Sequence, residues 1–449
     1  MKYNIRKLFH RIAVLAILTI VVLLFCLIFI NRENAEQGQN NMFLLADSEA
    51  AAVVTVLAVC VPIALALLLV SVVYTARPYV RKVRFGRHAL KNERFPNLLD
   101  IDAKLQYNKV LPYESRTLRE ICTEFRQFAA DKFGLYYELE DIRRFMAGMG
   151  MSRLMILRGM SGTGKTSLAY AAGEYFGNSA VIVPVQPMWK ERSDMIGYFN
   201  EFTKRFNETP LLCKLYEAGG NDDVYIVVLD EVNISRIEYY FAEFLSLLEL
   251  PNPEKRVLSI VSDSRADDPK RLIGGKLRLP ENVWFVGTAN NDDSTFTISD
   301  KVYDRAAVLD LERKSESFTP NTTAATHMSY TALKESFTQA CRRNKLSEKG
   351  RKAITQTDKY LTEVFRVSFG NRIMRQIETY TSILLDCGGT ENGALDDILA
   401  RKILRKLEQL SPVLLKNELP GLSAFLKQTF GEQALPQCAA LIEQLEKSV

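Results

Sequence analysis

The sequence predicts an α/β chain: a parallel-sheet core with a glycine-rich loop after one strand, a C-terminal helical lid, and two transmembrane helices ahead of both. Three observations predict it. Two apolar runs long enough to cross a bilayer stand within the first 74 residues. A glycine-rich loop follows one strand-like apolar run, and two more such runs end in polar residues downstream. From residue 326 onward the apolar residues recur at helical spacing, with no strand-rich pattern.

The membrane segment comes first. Ile12 to Ile30 is a 19-residue apolar run and Ala50 to Tyr74 a 25-residue one, and each spans about 30 Å of hydrocarbon as a helix. The 19-residue loop between them carries Arg32 against Glu33, Glu36, Asp47 and Glu49. Lys2, Arg6, Lys7 and Arg11 lie on one outer flank, and Arg77, Arg81, Lys82, Arg84 and Arg87 on the other. The bias of basic residues toward the cytoplasmic side then predicts a multi-pass anchor in the cell inner membrane, with both termini and the globular body in the cytoplasm. A cleaved signal peptide fits less well, because the first run is long for an h-region and no A-x-A-like site follows promptly. No acid or base interrupts either span, so the hairpin reads as an anchor and not an ion pathway.

Charge and composition exclude several functions. The formal charge is +5, but residues 1–87 hold +6 of it and the rest of the chain −1, which makes direct nucleic-acid binding by the body an unfavoured expectation. The seven Cys form no CxxC pair and the three His stand apart, against a zinc ribbon, a disulfide framework or a His-based metal site.

After the hairpin (1–87) the expected order is a linker with an amphipathic helix (88–137), a nucleotide-binding core (138–325), and a helical lid with short helices appended from Leu410 to Val449 (326–449). His88 to about Ser115 suits a connector, and Leu118, Ile121, Cys122, Phe125, Phe128 and Ala129 give a helical stripe. A second helical pattern near Glu138 to Ala147 precedes the strand-like run Arg153 to Leu157. Gly159-Met-Ser-Gly-Thr-Gly-Lys165-Thr166 then satisfies GxxxxGK[ST] in the required context, strand before and helix after. Glycines let backbone N–H groups converge on phosphate oxygens, and the helix N-terminus adds positive potential. Gly159, Ser161, Gly162, Thr163, Gly164, Lys165, Thr166 and Ser167 are therefore the predicted nucleotide-binding residues, with Lys165 on the β/γ-phosphates and Thr166 on Mg²⁺.

Val224-Tyr-Ile-Val-Val-Leu-Asp230-Glu231 is an apolar run ending in two acids, a Walker B pattern. Asp230 is expected to orient the Mg²⁺ shell and Glu231 to polarise the attacking water. Val283 to Asn290 is another buried-strand run, and its terminal amide, Asn290, could position that water. Arg305 and Arg372 are the candidates for neutralising charge on the transferring phosphoryl group. Beyond residue 326, stripes at Ile354 to Phe365, Ile373 to Leu384 and Leu395 to Leu407 predict successive lid helices.

Four stretches resemble AAA+ ATPases of the branch with an insert in the second helix, which includes MoxR-type and dynein-related ATPases and McrB-like GTPases. They are SGTGKTSL (161–168), QPMWKERSDMIGYFNE (186–201), LDEVNISRIEYYFAEFLSLLE (229–249) and WFVGTANNDDSTFTISDKVYDRA (284–306). The Asp-Glu-x-Asn form at 230–233 and Gly-Thr-x-Asn at 287–290 are more specific than the phosphate loop alone. The resemblance implies Walker B roles for Asp230 and Glu231, sensor 1 for Asn290, an arginine finger reaching a neighbouring subunit for Arg305, and sensor 2 for Arg372. It also implies a ring, usually of six subunits. Trp189, Tyr198, Phe199 and Phe202 of the insert either line the pore of such a ring or pack the base of the insert, and packing is the expectation.

The leading expectation is a membrane-anchored, Mg²⁺-dependent nucleoside triphosphatase that couples hydrolysis to remodelling a protein partner. The alternative is a McrB-like motor subunit of a restriction or defence complex whose nuclease is a separate chain. ATP is the default nucleotide and GTP stays open, because the loop reads phosphates and no residue identifies the base.

Overall fold

Parallel strands covered on both faces have no need of polar alternation, and LMILRG, YIVVLD and VWFVGTAN accordingly become the centre of a sheet. The computed structural model describes residues 93–105, 113–290, 295–312 and 315–448. The sheet strands are β1 (Leu154–Gly159), β2 (Val181–Pro184), β5 (Tyr225–Asp230), β9 (Val283–Asn290) and β10 (Ala307–Asp310), all parallel in the order β10-β1-β9-β5-β2. A hairpin of β3 (Phe199–Asn200) and β4 (Arg205–Phe206), and an antiparallel unit of β6 (Val257–Ser259), β7 (Leu272–Ile273) and β8 (Lys276–Arg278), lie outside the sheet.

Successive side chains of a strand point to opposite faces, and that alternation divides the interior into two cores. Met155, Leu157, Ile226, Val228, Trp284 and Val286 enter one, with helices α2 (Leu118–Phe133), α3 (Leu139–Met151) and α4 (Lys165–Tyr175). Leu154, Ile156, Tyr225, Val227, Leu229 and Phe285 enter the other. That second core also holds residues of α1 (Pro96–Leu105), α5 (Arg192–Ile196), α6 (Pro210–Ala218), α7 (Ile237–Tyr240), α8 (Ala242–Glu249) and α9 (Asp300–Tyr303). The stripe expected on α2 is buried throughout, behind a capping box between Thr117 and Glu120.

The C-terminal region is helical as the stripes predict: α10 (Tyr330–Arg343), α11 (Glu348–Phe365), α12 (Asn371–Asp386), α13 (Glu391–Ile398), α14 (Pro412–Phe430) and α15 (Pro436–Ser448). Its apolar faces join the first core, so sheet and helical region share one interior. A π-type turn, Leu399–Ile403, follows α13 and carries Arg401 and Lys402 inward. Asp310, at the end of β10, accepts from Arg158 Nε at 2.7 Å and from Arg401 Nε at 3.1 Å. Arg401 Nη1 also donates to Asp397 Oδ1 at 2.8 Å, and Asp397 Oδ2 accepts from Arg144 Nε at 3.1 Å. Lys402 Nζ donates to the carbonyls of Ala306 at 2.8 Å and Asp304 at 3.3 Å, the residues flanking Arg305.

Three features differ from the expectation. The connector contains a helix, α1, begun by Pro96 and tied down where buried Asp102 accepts from Tyr216 Oη at 2.7 Å and from Arg271 Nη1 at 2.8 Å. The β6–β8 unit has no counterpart in the sequence reading; Gly274 and Gly275, with φ of 61° and 73°, make its tight turn. The last forty residues are not all short helices, since α14 runs 19 residues with Pro420 inside it. The two apolar runs of the expected membrane hairpin lie outside the described residues. Among the described residues, no helix is long and apolar enough to cross a membrane.

Burial alone would raise the Asp310 carboxyl, but Arg158 and Arg401 outweigh it and hold the group at about 2, below its ordinary 3.8. A carboxyl depressed in the folded state stabilises above the unfolded pKa, and that contribution is lost as pH falls from about 4 to 2. Wild type should lose about 2 kcal/mol of unfolding free energy over that window in urea titrations, a component absent from Asp310→Asn. At neutral pH the same substitution should destabilise by about 3 kcal/mol, because it leaves buried Arg401 and half-buried Arg158 short of a counter-charge. Equal acid sensitivity of the two proteins would refute the assignment.

Candidate functional site

The loop after β1 turns sharply, and its glycines make the turn possible. Gly159, Gly162 and Gly164 have φ of 147°, 79° and 88°. A Cβ on Gly159 would lie 2.2 Å from the Leu311 carbonyl oxygen, so no other residue fits there. Gly164 caps α4 without a side-chain hydrogen bond, leaving the first N–H groups of the helix turned toward the loop. Its carbonyl accepts from Tyr137 Oη at 2.9 Å, which pins the loop to the segment before α3. This is the geometry in which backbone amides and a helix N-terminus receive an anion.

Lys165 is 6% exposed, and its Nζ donates to the carbonyls of Gly159 at 3.0 Å and Met160 at 2.7 Å. The ammonium is thus folded over the loop, inside the cradle. Ser161 and Gly162 are exposed at the loop tip, Thr163 is half-buried with its hydroxyl on the Met160 carbonyl at 3.0 Å, and Ser167 is half-buried in the first turn of α4.

The strand register brings the acids to this loop. β5 and β9 pair Leu229 with Gly287, and β1 and β9 pair Gly159 with Asn290, so three strand ends meet at one edge. Asp230 Oδ1 accepts from Thr166 Oγ1 at 2.7 Å and from Thr288 Oγ1 at 2.8 Å. The Thr288 hydroxyl in turn accepts the Glu231 N–H at 2.9 Å. Glu231 is exposed and has a φ of 57°, a left-handed conformation that carries about 1 to 3 kcal/mol of strain in a non-glycine residue.

Asn290 stands at the end of β9 beside Gly159. Its carbonyl accepts from Asn233 Nδ2 at 2.8 Å, and the same amide group donates to Thr295 Oγ1 at 2.9 Å. Thus Lys165, Thr166, Asp230, Glu231 and Asn290 gather at one edge. Thr288, Asn233 and Tyr137 belong with them, and the sequence reading gave them no role. Thr288 and Asn233 were visible inside their motifs, whereas nothing local marks Tyr137. Among the described residues no group of three or more His, Cys, Asp or Glu could hold a metal ion. A hydroxyl and one carboxylate do fit Mg²⁺, which takes one or two protein ligands and completes its shell with nucleotide phosphates and water.

Arg305 and Arg372 are not brought to this edge. Arg305 precedes β10, and the Ser152 hydroxyl, just ahead of β1, donates to its carbonyl at 2.8 Å. The phosphate loop lies beyond the opposite end of β1, about 17 Å away along a six-residue strand. Both arginines bind one carboxylate: Glu249 Oε2 takes Arg305 Nη2 at 2.6 Å and Glu249 Oε1 takes Arg372 Nη1 at 2.6 Å.

The insert aromatics split. Trp189 is buried against Tyr240, with ring centroids 5.6 Å apart, and Phe199 is half-buried, as packing requires. Tyr198 is exposed, and Phe202, at the tip of the β3–β4 hairpin, is 99% exposed. Packing therefore fails for those two, because a two-residue pairing has no face to cover a tip side chain.

A family described as a domain of unknown function (DUF8727) matches residues 321–449, the helical region. No curated protein matches the chain. Among solved structures, the chain is similar to a candidate ATPase from Cytophaga hutchinsonii, with a TM-score of 0.46 at 14% identity over 74% of this chain and 96% of that one. It is also similar to an MCM homologue from Methanopyrus kandleri, with a TM-score of 0.35 at 10% identity over 63% of this chain and 59% of that one. The functional reading rests on the site's own geometry.

Thr288→Val keeps the shape and removes the hydroxyl that joins Asp230 to the Glu231 amide. Unfolding by urea should show a loss of about 1 to 3 kcal/mol, since a 2% exposed threonine leaves two polar groups short of a partner. An unchanged midpoint would mean that water replaces the hydroxyl and that the corner is not built by it.

Proposed function

We propose that the chain is an AAA+ nucleoside triphosphatase, anchored in the inner membrane through residues 1–87 with its body in the cytoplasm, that couples hydrolysis to remodelling a protein partner. The observation that carries the enzymatic part is the shared corner of Thr166, Asp230 and Thr288 beneath a loop of positive-φ glycines. Phosphoryl transfer needs positioning and charge neutralisation more than covalent chemistry, and this edge supplies both.

In the proposed mechanism the amides of Gly159 to Thr166 surround the β- and γ-phosphates. Lys165 exchanges the carbonyls of Gly159 and Met160 for phosphate oxygens, so the ammonium is already desolvated and aimed. Thr166 and Asp230 would hold Mg²⁺, which supplies charge neutralisation on the β/γ oxygens when bound. Glu231 takes the proton of the attacking water, and Asn290 orients that water from the adjacent strand end. The charge developing on the phosphoryl oxygens is met from outside the chain, because Arg305 and Arg372 sit at the far end of the sheet. That placement supports a ring in which each protomer completes its neighbour's site, six subunits being the proposed number.

Two features support a protein client over a nucleic acid. The body beyond residue 87 carries a net charge of −1, whereas affinity for a phosphate backbone draws on an excess of positive charge. The β3–β4 tip presents Phe202 to solvent, held by an Asn200 side chain that accepts from the N–H groups of Phe202 at 2.9 Å and Thr203 at 3.1 Å. An apolar tip on an ordered turn suits gripping an unfolded segment.

Turnover of ATP and GTP by the full-length chain tests the proposal, with ATP the proposed substrate. Lys165→Ala should abolish nucleotide binding, while Glu231→Gln should retain binding and lower kcat by about a hundredfold or more. A wild-type chain that hydrolyses neither nucleotide at assembly-promoting concentrations would sink the proposal.

A further inference from the structure

Strand register decides which side chains of the β6–β8 unit face inward. β6 and β8 pair Leu258 with Leu277, and β7 and β8 pair Leu272 with Leu277, so three leucines share one face. All three are buried in the second core. The same register puts Ser259, Lys276 and Ile273 in one row on the opposite face, with Val257 and Arg278 in the next. Ile273 is 80% exposed, Lys276 and Arg278 are exposed, and no acid stands on any of the three strands. The outer face thus sets an isoleucine beside two cations.

Positive charge is concentrated in the same unit. Residues 254–278 hold seven Lys/Arg against four Asp/Glu, in a body beyond residue 87 whose balance is −1. Three of the four acids are turned to arginines: Glu254 to Arg278 at 2.7 Å, Asp263 to Arg94 at 2.5 Å, and Asp268 to Arg94 at 3.8 Å. The fourth, Asp267, is exposed in the loop before β7. The connector is fastened here as well. Besides the Arg94 pairs, Asp102 of α1 accepts the Lys270 N–H at 2.9 Å and Arg271 Nη1 at 2.8 Å. Arg94 stands twenty residues after Tyr74, the end of the second apolar run, and such a length of chain reaches at most about 70 Å.

An apolar side chain ringed by cations suits the boundary between lipid headgroups and acyl chains, where the apolar group leaves water and the cations meet anionic headgroups. A nucleic-acid backbone would satisfy the cations and leave Ile273 in water. We propose that the outer face of β6–β8 docks on an anionic phospholipid bilayer, the one that residues 1–87 enter, with Ile273 at the acyl boundary and Lys276 and Arg278 on the headgroups. The proposal rests on the membrane-anchor reading above and adds a second contact with the same surface. A body held at two points cannot swing freely about its connector.

Tryptophan emission tests it on the full-length chain. The sequence has two Trp, Trp189 and Trp284, and both are buried in the body, so one placed at position 273 reports its own surroundings. Ile273→Trp protein is reconstituted into vesicles of phosphatidylcholine with brominated acyl chains, with or without phosphatidylglycerol, and compared with the same lipids unbrominated. The emission added by Ile273→Trp should be quenched by the brominated lipid when phosphatidylglycerol is present, and much less in phosphatidylcholine alone. Lys276→Gln/Arg278→Gln in the same chain should lower the docked-to-free ratio about thirtyfold, a factor of about five for each cation removed at an anionic surface. Both side chains are exposed, and thermal melts check that each protein folds. Val413→Trp, at a 72% exposed position of α14, is the control and should stay unquenched in both lipids.

An inserted chain whose Ile273→Trp emission ignores brominated lipid overturns the proposal. So does quenching that is indifferent to phosphatidylglycerol and to the two cations, or equal for Val413→Trp, because this face would then not be what docks. An emission change on adding a single-stranded oligonucleotide, without lipid quenching, would assign the face to nucleic acid instead. Alkaline carbonate extraction separates the two readings. A chain released from the vesicles defeats the anchor and this inference with it, whereas a chain retained but unquenched defeats the inference alone.

Discussion

One carboxylate oxygen, Asp230 Oδ1, accepts hydroxyls from Thr166 on the loop helix and Thr288 on the neighbouring strand, and much of the site depends on that double acceptance. It fixes the first turn of α4 against the end of β5, and through the Thr288 hydroxyl it fixes the amide of Glu231 as well. Glu231 could not be kept in a left-handed conformation by its own preferences, which oppose it. The strain persists because the surrounding hydrogen bonds over-determine the residue, a pattern typical of positions whose side chain must be aimed. The parallel register contributes the rest. Strands running the same way end at the same edge, so a loop, two acids and an amide far apart in sequence become neighbours without any long connection reaching for them.

The opposite edge follows a contrary logic. Where strands begin, the chain gathers positive charge, and one glutamate answers two arginines there. The exposed Phe202 is a separate matter, since its hairpin belongs to neither edge's chemistry.

Much of this was legible in the residues, for identifiable reasons. Buried parallel strands are apolar at nearly every position, so β1, β5 and β9 stood out within two residues of their bounds. Helices against one face show a 3.6-residue stripe, and Ile373, Ile377, Tyr380 and Leu384 are all buried as that spacing requires. The phosphate loop was legible because its glycines have a conformational cause. What was not legible depends on contacts between segments far apart. Tyr137 reaches a carbonyl 27 positions away, and Glu249 meets Arg372 across the gap between a core helix and a lid helix. No local pattern announces such partners. The Gly274-Gly275 turn of the β6–β8 unit is an intermediate case: its two adjacent glycines were a local sign, but the flanking strands of two and three residues are too short to show alternation.

The lid is fastened to the sheet by a relay of charges, Arg158, Asp310, Arg401, Asp397 and Arg144, most of it shielded from water. A greasy seam can creep, exchanging one apolar contact for another at little penalty, but a buried chain of ions has no such intermediate. Displacing one member strands its neighbours in a medium that cannot hydrate them. The joint should accordingly behave like a weld and not a hinge.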